Sequence, residues 1–171
     1  MSEFLENEEI LEDQPRPGFL TVLCVLSFIS TGFGVISGLF SLFLGPSSED
    51  AMLASKVQMT QSMTQLKEVG MYSLSDMMAK IQAMAEQINE NFYLATIIAL
   101  ISTGLGLFSI VKMWKGDRLG FHLYIVYSLI SIAGLYLYVS PQNIPSVVIV
   151  FNLIVSGIFI LMYSRNLKWM V

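Results

Sequence analysis

The chain has one cysteine, Cys24, so no intrachain disulfide can form and no disulfide framework can hold its loops. Claudin-like and tetraspanin-like four-span proteins carry loop cysteines that are missing here, and quinone-linked disulfide enzymes need cysteine pairs. One histidine, His122, falls short of the paired axial ligands that haem-binding bundles use. No P-loop, G-x-S-x-G or H-E-x-x-H motif occurs. Charge is absent over three long runs, Pro17 to Ser48, Asn91 to Val111 and Leu119 to Ser164. They hold no Asp, Glu, Lys or Arg with which to build a proton relay, an ion pathway or the intramembrane carboxylate of a small multidrug exporter. Neither catalysis nor proton-coupled transport is expected, and no cofactor or metal centre is.

Those same runs say what the chain is. With 54% hydrophobic and 13% charged residues, and a mean hydropathy of +0.66, the composition is that of a membrane protein. A helical crossing needs ~20 apolar residues. The third run holds two crossings, divided at Ser140-Pro141-Gln142-Asn143-Ile144-Pro145, where prolines and amides end one helix and start another. The expected fold is an all-α membrane protein with four transmembrane helices, at residues 18–45, 92–114, 119–139 and 145–165. The first is read as a retained anchor, because the tail before it is acidic where a signal peptide is basic.

Basic residues resist translocation and so set orientation. Arg16, Lys112, Lys115, Arg118, Arg165 and Lys168 fall on one side of such a bundle, while Lys56, Lys67 and Lys80 on the other are diluted by six acids. Both termini, residues 1–17 and 166–171, are therefore expected in the cytoplasm. Trp114 and Trp169 suit the inner interface, and Tyr93, Tyr136 and Tyr138 the outer one. The tail carries Glu3, Glu6, Glu8, Glu9, Glu12 and Asp13, which repel nucleic acid and anionic lipid alike.

Residues 46–91 are too long for a bare connection and read as an extracytoplasmic helical hairpin. Ser47-Ser48-Glu49-Asp50 supplies a cap and first-turn acids, Met52, Met59, Met63 and Leu66 recur at helical spacing, and Gly70 offers a stop. A second start is expected at Ser73 with Asp76 three residues on, followed by the stripe Leu74, Met77, Ile81, Met84 and Ile88 and an exposed Asp76–Lys80 pair. Nothing after Ile88 breaks the pattern, so this helix is expected to run unbroken to Trp114, about 41 residues or ~60 Å. Met52, Met59, Met63, Met77, Ile81 and Met84 then offer a partner surface, since methionine is an adaptable packing residue. The same thioethers are soft enough for Cu(I), with Met59 and Met63 one turn apart, although no His or Cys lies near them.

Inside the spans small residues replace charge. Ser30, Gly34 and Gly38, and then Ser102 and Gly106, repeat at every fourth position, the spacing that lets helices approach closely in lipid. Ile29-Ser30-Thr31-Gly32-Phe33-Gly34 and Ile101-Ser102-Thr103-Gly104-Leu105-Gly106 match at five of six positions, by duplication or by chance. Asn152 carries an amide into the fourth span, where it needs a partner; the expectation is an interhelical contact, for example with Ser128 or Ser131. His122 is expected to hydrogen-bond near the cytoplasmic face.

Arg16-Pro17-Gly18-Phe19-Leu20-Thr21-Val22-Leu23-Cys24 and the Ser-Thr-Gly-rich half of the span after it resemble the opening of small uncharacterised four-pass bacterial membrane proteins. The resemblance implies a bacterial cytoplasmic membrane and brings no activity with it. By elimination, the expected function is a non-enzymatic accessory, assembly or scaffold component of a larger membrane complex or homo-oligomer, whose partners are membrane lipid and other membrane subunits or a second copy. Two alternatives stand beside it: a small-solute or lipid pathway, and periplasmic Cu(I) binding through the hairpin.

Overall fold

A computed structural model describes residues 16–170; the acidic tail before Arg16 and the last residue lie outside the described residues. Six α-helices and two short 3-10 turns make up the fold, and no strand occurs among the described residues. They are α1 (Gly18–Leu44), α2 (Glu49–Glu68), α3 (Tyr72–Glu90), α4 (Phe92–Trp114), α5 (Arg118–Ala133) and α6 (Ser146–Ser164). A 3-10 turn, Gly134–Leu137, extends α5, and another, Pro141–Asn143, precedes α6. Four of these segments are long and apolar enough to cross a membrane: Gly18–Leu44, Phe92–Trp114, Arg118–Leu137 and Ser146–Ser164.

Helix ends follow local chemistry. Ser48 caps α2 by accepting the Ala51 amide at 3.3 Å, with Glu49 and Asp50 in the first turn against the positive end of the helix dipole. Gly70 and Gly116 take left-handed backbone, φ 80° and 82°, and each closes the preceding helix with a paired Schellman set of bonds. At the first, Met71 donates to the Leu66 carbonyl and Gly70 to that of Lys67; at the second, Asp117 donates to Lys112 and Gly116 to Met113. The two turns reverse the chain, making the α2–α3 hairpin and the α4–α5 hairpin.

Three local expectations are corrected. Helix α3 starts at Tyr72 rather than Ser73 and has no side-chain cap. The ion pair on the hairpin joins the two helices, Lys56 to Glu86 at 3.0 Å, and no Asp76–Lys80 ion pair forms. Nor is the helix from the hairpin to Trp114 unbroken: backbone at Asn91 departs from helical values, φ −103° and ψ 30°, and divides α3 from α4. The Asn91 amide group explains the break, since its Nδ2 donates both to the Gln87 carbonyl at 3.0 Å and to the Tyr138 carbonyl beyond α5 at 3.3 Å. One side chain thereby ties the base of the hairpin to another loop.

Gln87 and Asn89 complete that tie. Asn89 accepts the Ser47 amide at 2.8 Å and donates to the Ser47 carbonyl at 3.2 Å. Gln87 accepts the Ser140 amide at 2.9 Å and donates to its hydroxyl at 3.1 Å. Three amides on alternate positions thus bind the α1–α2 loop and the α5–α6 loop to one point, which marks the hairpin end of the bundle.

The opposite end is basic and aromatic. Arg16 lies 3.9 Å over the Trp114 ring, Gly116 packs beneath Trp169, Lys112 pairs with Asp117 at 2.9 Å, and Arg118 Nε donates to the Met170 carbonyl at 2.6 Å. Helix α4 occupies the centre, with α1 and α5 packed on it over most of their length. The tightest point is Gly120, where an added Cβ would lie 2.5 Å from the Met113 backbone nitrogen and 2.6 Å from the Ser109 carbonyl oxygen. The core of Leu20, Leu23, Cys24, Ile110, Met113, Phe121, Tyr124 and Tyr163 sits in this basic half. Helix α6 is held here by Tyr163 but lies largely free along its length, with only 6% of its apolar window buried.

Candidate functional site

Where α6 stands off from α1 and α5, a cleft of about 190 Å³ is left between the three helices. Each helix turns one polar face to it, because residues three and four apart share a face. Ser27, Ser30 and Thr31 come from α1, Tyr124, Tyr127, Ser128 and Ser131 from α5, and Asn152 and Ser156 from α6, with Leu26, Val155 and Phe159 as apolar wall. At 1.5 Å per residue, Ser27, Ser128 and Ser156 lie roughly 12 to 15 Å from the basic ends of their helices. That is about half way through a hydrocarbon layer of ~30 Å.

The hydrogen bonds of the lining are mostly local. Thr31 Oγ1 donates to the Ser27 carbonyl at 2.8 Å, and the buried Tyr163 hydroxyl donates to Ser27 Oγ at 2.9 Å, closing the cleft toward the basic end. Tyr124 stacks against Tyr163 with ring centres 5.0 Å apart, and against Tyr127 at 5.5 Å. The Ser128 hydroxyl is buried and has no partner among the described residues. Asn152 donates to the Val148 carbonyl of its own helix at 2.8 Å and is exposed. The interhelical contact expected of Asn152 is therefore not made: α6 stands too far from α5, and the preceding turn of α6 meets the amide first. Among the described residues no charged side chain and no histidine lines the cleft. What the lining offers is exchange of hydrogen bonds with an uncharged polar group.

The small residues separate into two roles. A Cβ at Gly34 would lie 2.8 Å from Thr103 Cγ2, and one at Gly38 2.6 Å from Leu100 Cδ2, so both mark close approach of α1 to α4. Gly106 faces Thr31 Cγ2 at 3.1 Å and the Tyr127 ring at 3.0 Å, measured the same way. The matched phrases hence meet each other: Thr31 fills the notch at Gly106, and Thr103 fills the notch at Gly34. Ser102 is buried nearby, its hydroxyl without a partner. Ser30, although in register with Gly34 and Gly38, is exposed at the edge of the cleft and takes no part in that seam. The helix turns by ~100° per residue, so a four-residue step drifts off the contact line.

On the hairpin, Met52, Met59, Met63, Met77, Ile81 and Met84 are half-buried along the line where α2 meets α3. None of the six is fully buried, so each keeps part of its surface outward. The large apolar groups left outward are Leu53 and Val57 on α2, Val69, Met71 and Tyr72 at the tip, and Leu74 at the start of α3, which the expected stripe had included. Across α2 and α3, Lys56 and then Gln82 hold the Glu86 carboxyl below the usual carboxylate range through hydrogen bonds. Among the described residues no group of three or more His, Cys, Asp or Glu side chains is gathered to hold a metal ion.

Sequence reasoning missed Tyr124, Tyr127 and Tyr163, and it missed the amides Gln87, Asn89 and Asn91. A signal existed for the amides, three of them on alternate positions just before a span. His122, expected near an interface, bonds the Arg118 carbonyl of its own helix through Nδ1 at 3.0 Å. No family model matches the chain, and neither a curated protein nor a solved structure is similar to it.

Proposed function

We propose that the protein is a non-enzymatic accessory or assembly component of a membrane complex, and that the cleft between α6 and the α1–α4–α5 core receives a polar group from a partner's transmembrane segment. One observation carries the reading: hydroxyls and the Asn152 amide line a half-open cleft about half way along the long apolar helices, with Ser128 buried and unpartnered among the described residues. Polar groups at that depth associate by hydrogen bonding across helices, because lipid offers them nothing. The outward Leu53 and Val57 of the hairpin, apolar where the chain leaves the membrane, fit the same role.

In this reading the basic end faces the cytoplasm and the hairpin stands on the other side of a bacterial cytoplasmic membrane. Filling the cleft tests it. Ser131→Leu, at an exposed position of the lining, should leave the folded protein intact and reduce recovery of co-purifying membrane proteins after mild extraction into nanodiscs. Unchanged recovery, or a lone monomer from the wild-type chain, counts against the proposal.

A second reading draws on the volume. At ~30 Å³ per molecule, 190 Å³ has room for about six waters or one small uncharged polyol, as a solute or lipid pathway requires. Liposome flux that vanishes in Asn152→Leu supports this reading, and absence of flux from the wild-type protein removes it.

A further inference from the structure

At the basic end a second recess, about 360 Å³, opens between the start of α5 and the segment that follows α6. Its lining is Arg118, Phe121, His122, Leu167 and Lys168, and the wall itself is almost wholly carbon. Phe121 is buried at the floor and Leu167 is half-buried, while Arg118, His122 and Lys168 are exposed around the rim. The recess therefore has two parts of different chemistry: an apolar slot that continues the side of the bundle, and cationic side chains at the level where the spans end.

Among the described residues these charges are only partly paired. Of the six basic residues at this end, Lys112 is paired with Asp117 at 2.9 Å and Arg16 is stacked 3.9 Å over Trp114. Asp117 is engaged elsewhere, its other oxygen accepting the Leu119 amide at 2.8 Å. Arg118 and Lys168 have no carboxylate within ion-pair distance among the described residues. Arg118 is also held in place, since its Nε donates to the Met170 carbonyl at 2.6 Å, and among the described residues its remaining guanidinium N–H groups have no partner. His122 spends Nδ1 on the Arg118 carbonyl, and its second ring nitrogen has no partner among the described residues.

We propose that this recess is a binding site for an anionic phospholipid, with the phosphodiester between Arg118 and Lys168 and one acyl chain along Phe121 and Leu167. Guanidinium and phosphate match in charge and in fork geometry, and the carbon wall suits a chain rather than a free ion. Trp114 and Trp169, clustered at the same end, are side chains that settle at headgroup level. The proposal rests on the four helices crossing a bilayer and is independent of any partner in the mid-membrane cleft. Ser128 of the cleft lies ten residues along α5 from Arg118, about 15 Å away.

The test uses the full chain, purified and equilibrated in micelles containing equal amounts of phosphatidylglycerol and phosphatidylcholine with the same acyl chains, and reads retained lipid by native mass spectrometry. Phosphatidylglycerol should be retained in preference to phosphatidylcholine. Lys168→Gln, at an exposed position with no hydrogen bond to lose, should lower that preference about fivefold, and Arg118→Gln with Lys168→Gln should lower it further. Lys115→Gln with Arg165→Gln removes the same charge from the same end outside the recess and should leave the preference largely intact. Circular dichroism reports whether the Arg118 variant stays folded, and Lys168→Gln decides the matter if it does not. Equal loss in the Lys115 and Arg165 control overturns the proposal in favour of a diffuse basic surface. Absence of preference in the full chain, restored when residues 2–13 are deleted, overturns it in favour of the chain's own acidic tail.

Discussion

Replacing Gly120 by alanine perturbs the closest contact in the bundle. The added Cβ would stand 2.5 Å from the Met113 nitrogen, 2.6 Å from the Ser109 oxygen and 2.7 Å from Met113 Cγ. Carbon needs about 3.5 Å, so α5 must retreat from α4 by nearly 1 Å. Two of the three obstructing atoms belong to the α4 backbone and cannot rotate away. Overpacking of this kind costs about 1 to 3 kcal/mol, and a clash with backbone belongs at the upper end, near 3 kcal/mol. Helix α4 also carries α1 through Gly34 and Gly106, so the loss spreads to a second seam. Equilibrium unfolding of purified protein in mixed micelles, followed by circular dichroism, measures the loss. Gly104→Ala and Gly157→Ala are the controls: nothing lies within 4 Å of a Cβ at either, and alanine favours the helix by up to about 1 kcal/mol. If Gly120→Ala proves no more destabilising than Gly104→Ala, the α4–α5 crossing is not as close as described and the packing argument fails.

Ser128→Ala should stabilise the isolated protein by about 1 kcal/mol in the same assay, because it removes a buried hydroxyl with no partner, and should lower partner recovery. Asn89→Ala removes both bonds to the Ser47 backbone and should cost about 1 to 2 kcal/mol, with faster hydrogen exchange confined to the α1–α2 loop and the hairpin base. Asp117 is held below the usual carboxylate range by Lys112 first and the Leu119 amide second. A depressed folded-state value stabilises at any pH above the unfolded one and is lost as pH falls through the folded one. The α4–α5 turn should accordingly hold at neutral pH and loosen only in acid, and Lys112→Met should raise the Asp117 titration seen by carboxyl NMR.

Charge and period made much of this fold legible. Runs free of Asp, Glu, Lys and Arg locate the four long apolar helices to within a few residues, and Ser48, Gly70 and the methionine stripes announce the paired helices between the first two. What pattern cannot carry is which distant groups share a bond. Asn91 interrupts a helix because it reaches Tyr138, 47 residues away, and an asparagine ahead of an apolar run is otherwise unremarkable. The cleft gathers residues from Ser27 to Ser156 on three helices, and its existence depends on α6 standing off. Small-residue spacing marks close packing but not its direction: Ser30 shares the spacing of Gly34 and yet faces the cleft. The repeated phrase has a physical meaning only in three dimensions, where Thr31 sits in the notch at Gly106 and Thr103 in the notch at Gly34.

If the cleft holds a polar group of a partner's transmembrane segment, a photo-crosslinking side chain placed at Ser156, in the lining, and in a separate chain at Leu161, on the open face of the same helix, will report it at native expression. Ser156 should then give a discrete protein adduct, lost when Ser131→Leu fills the cleft, and Leu161 chiefly lipid adducts. Lipid adducts alone from both positions would contradict it.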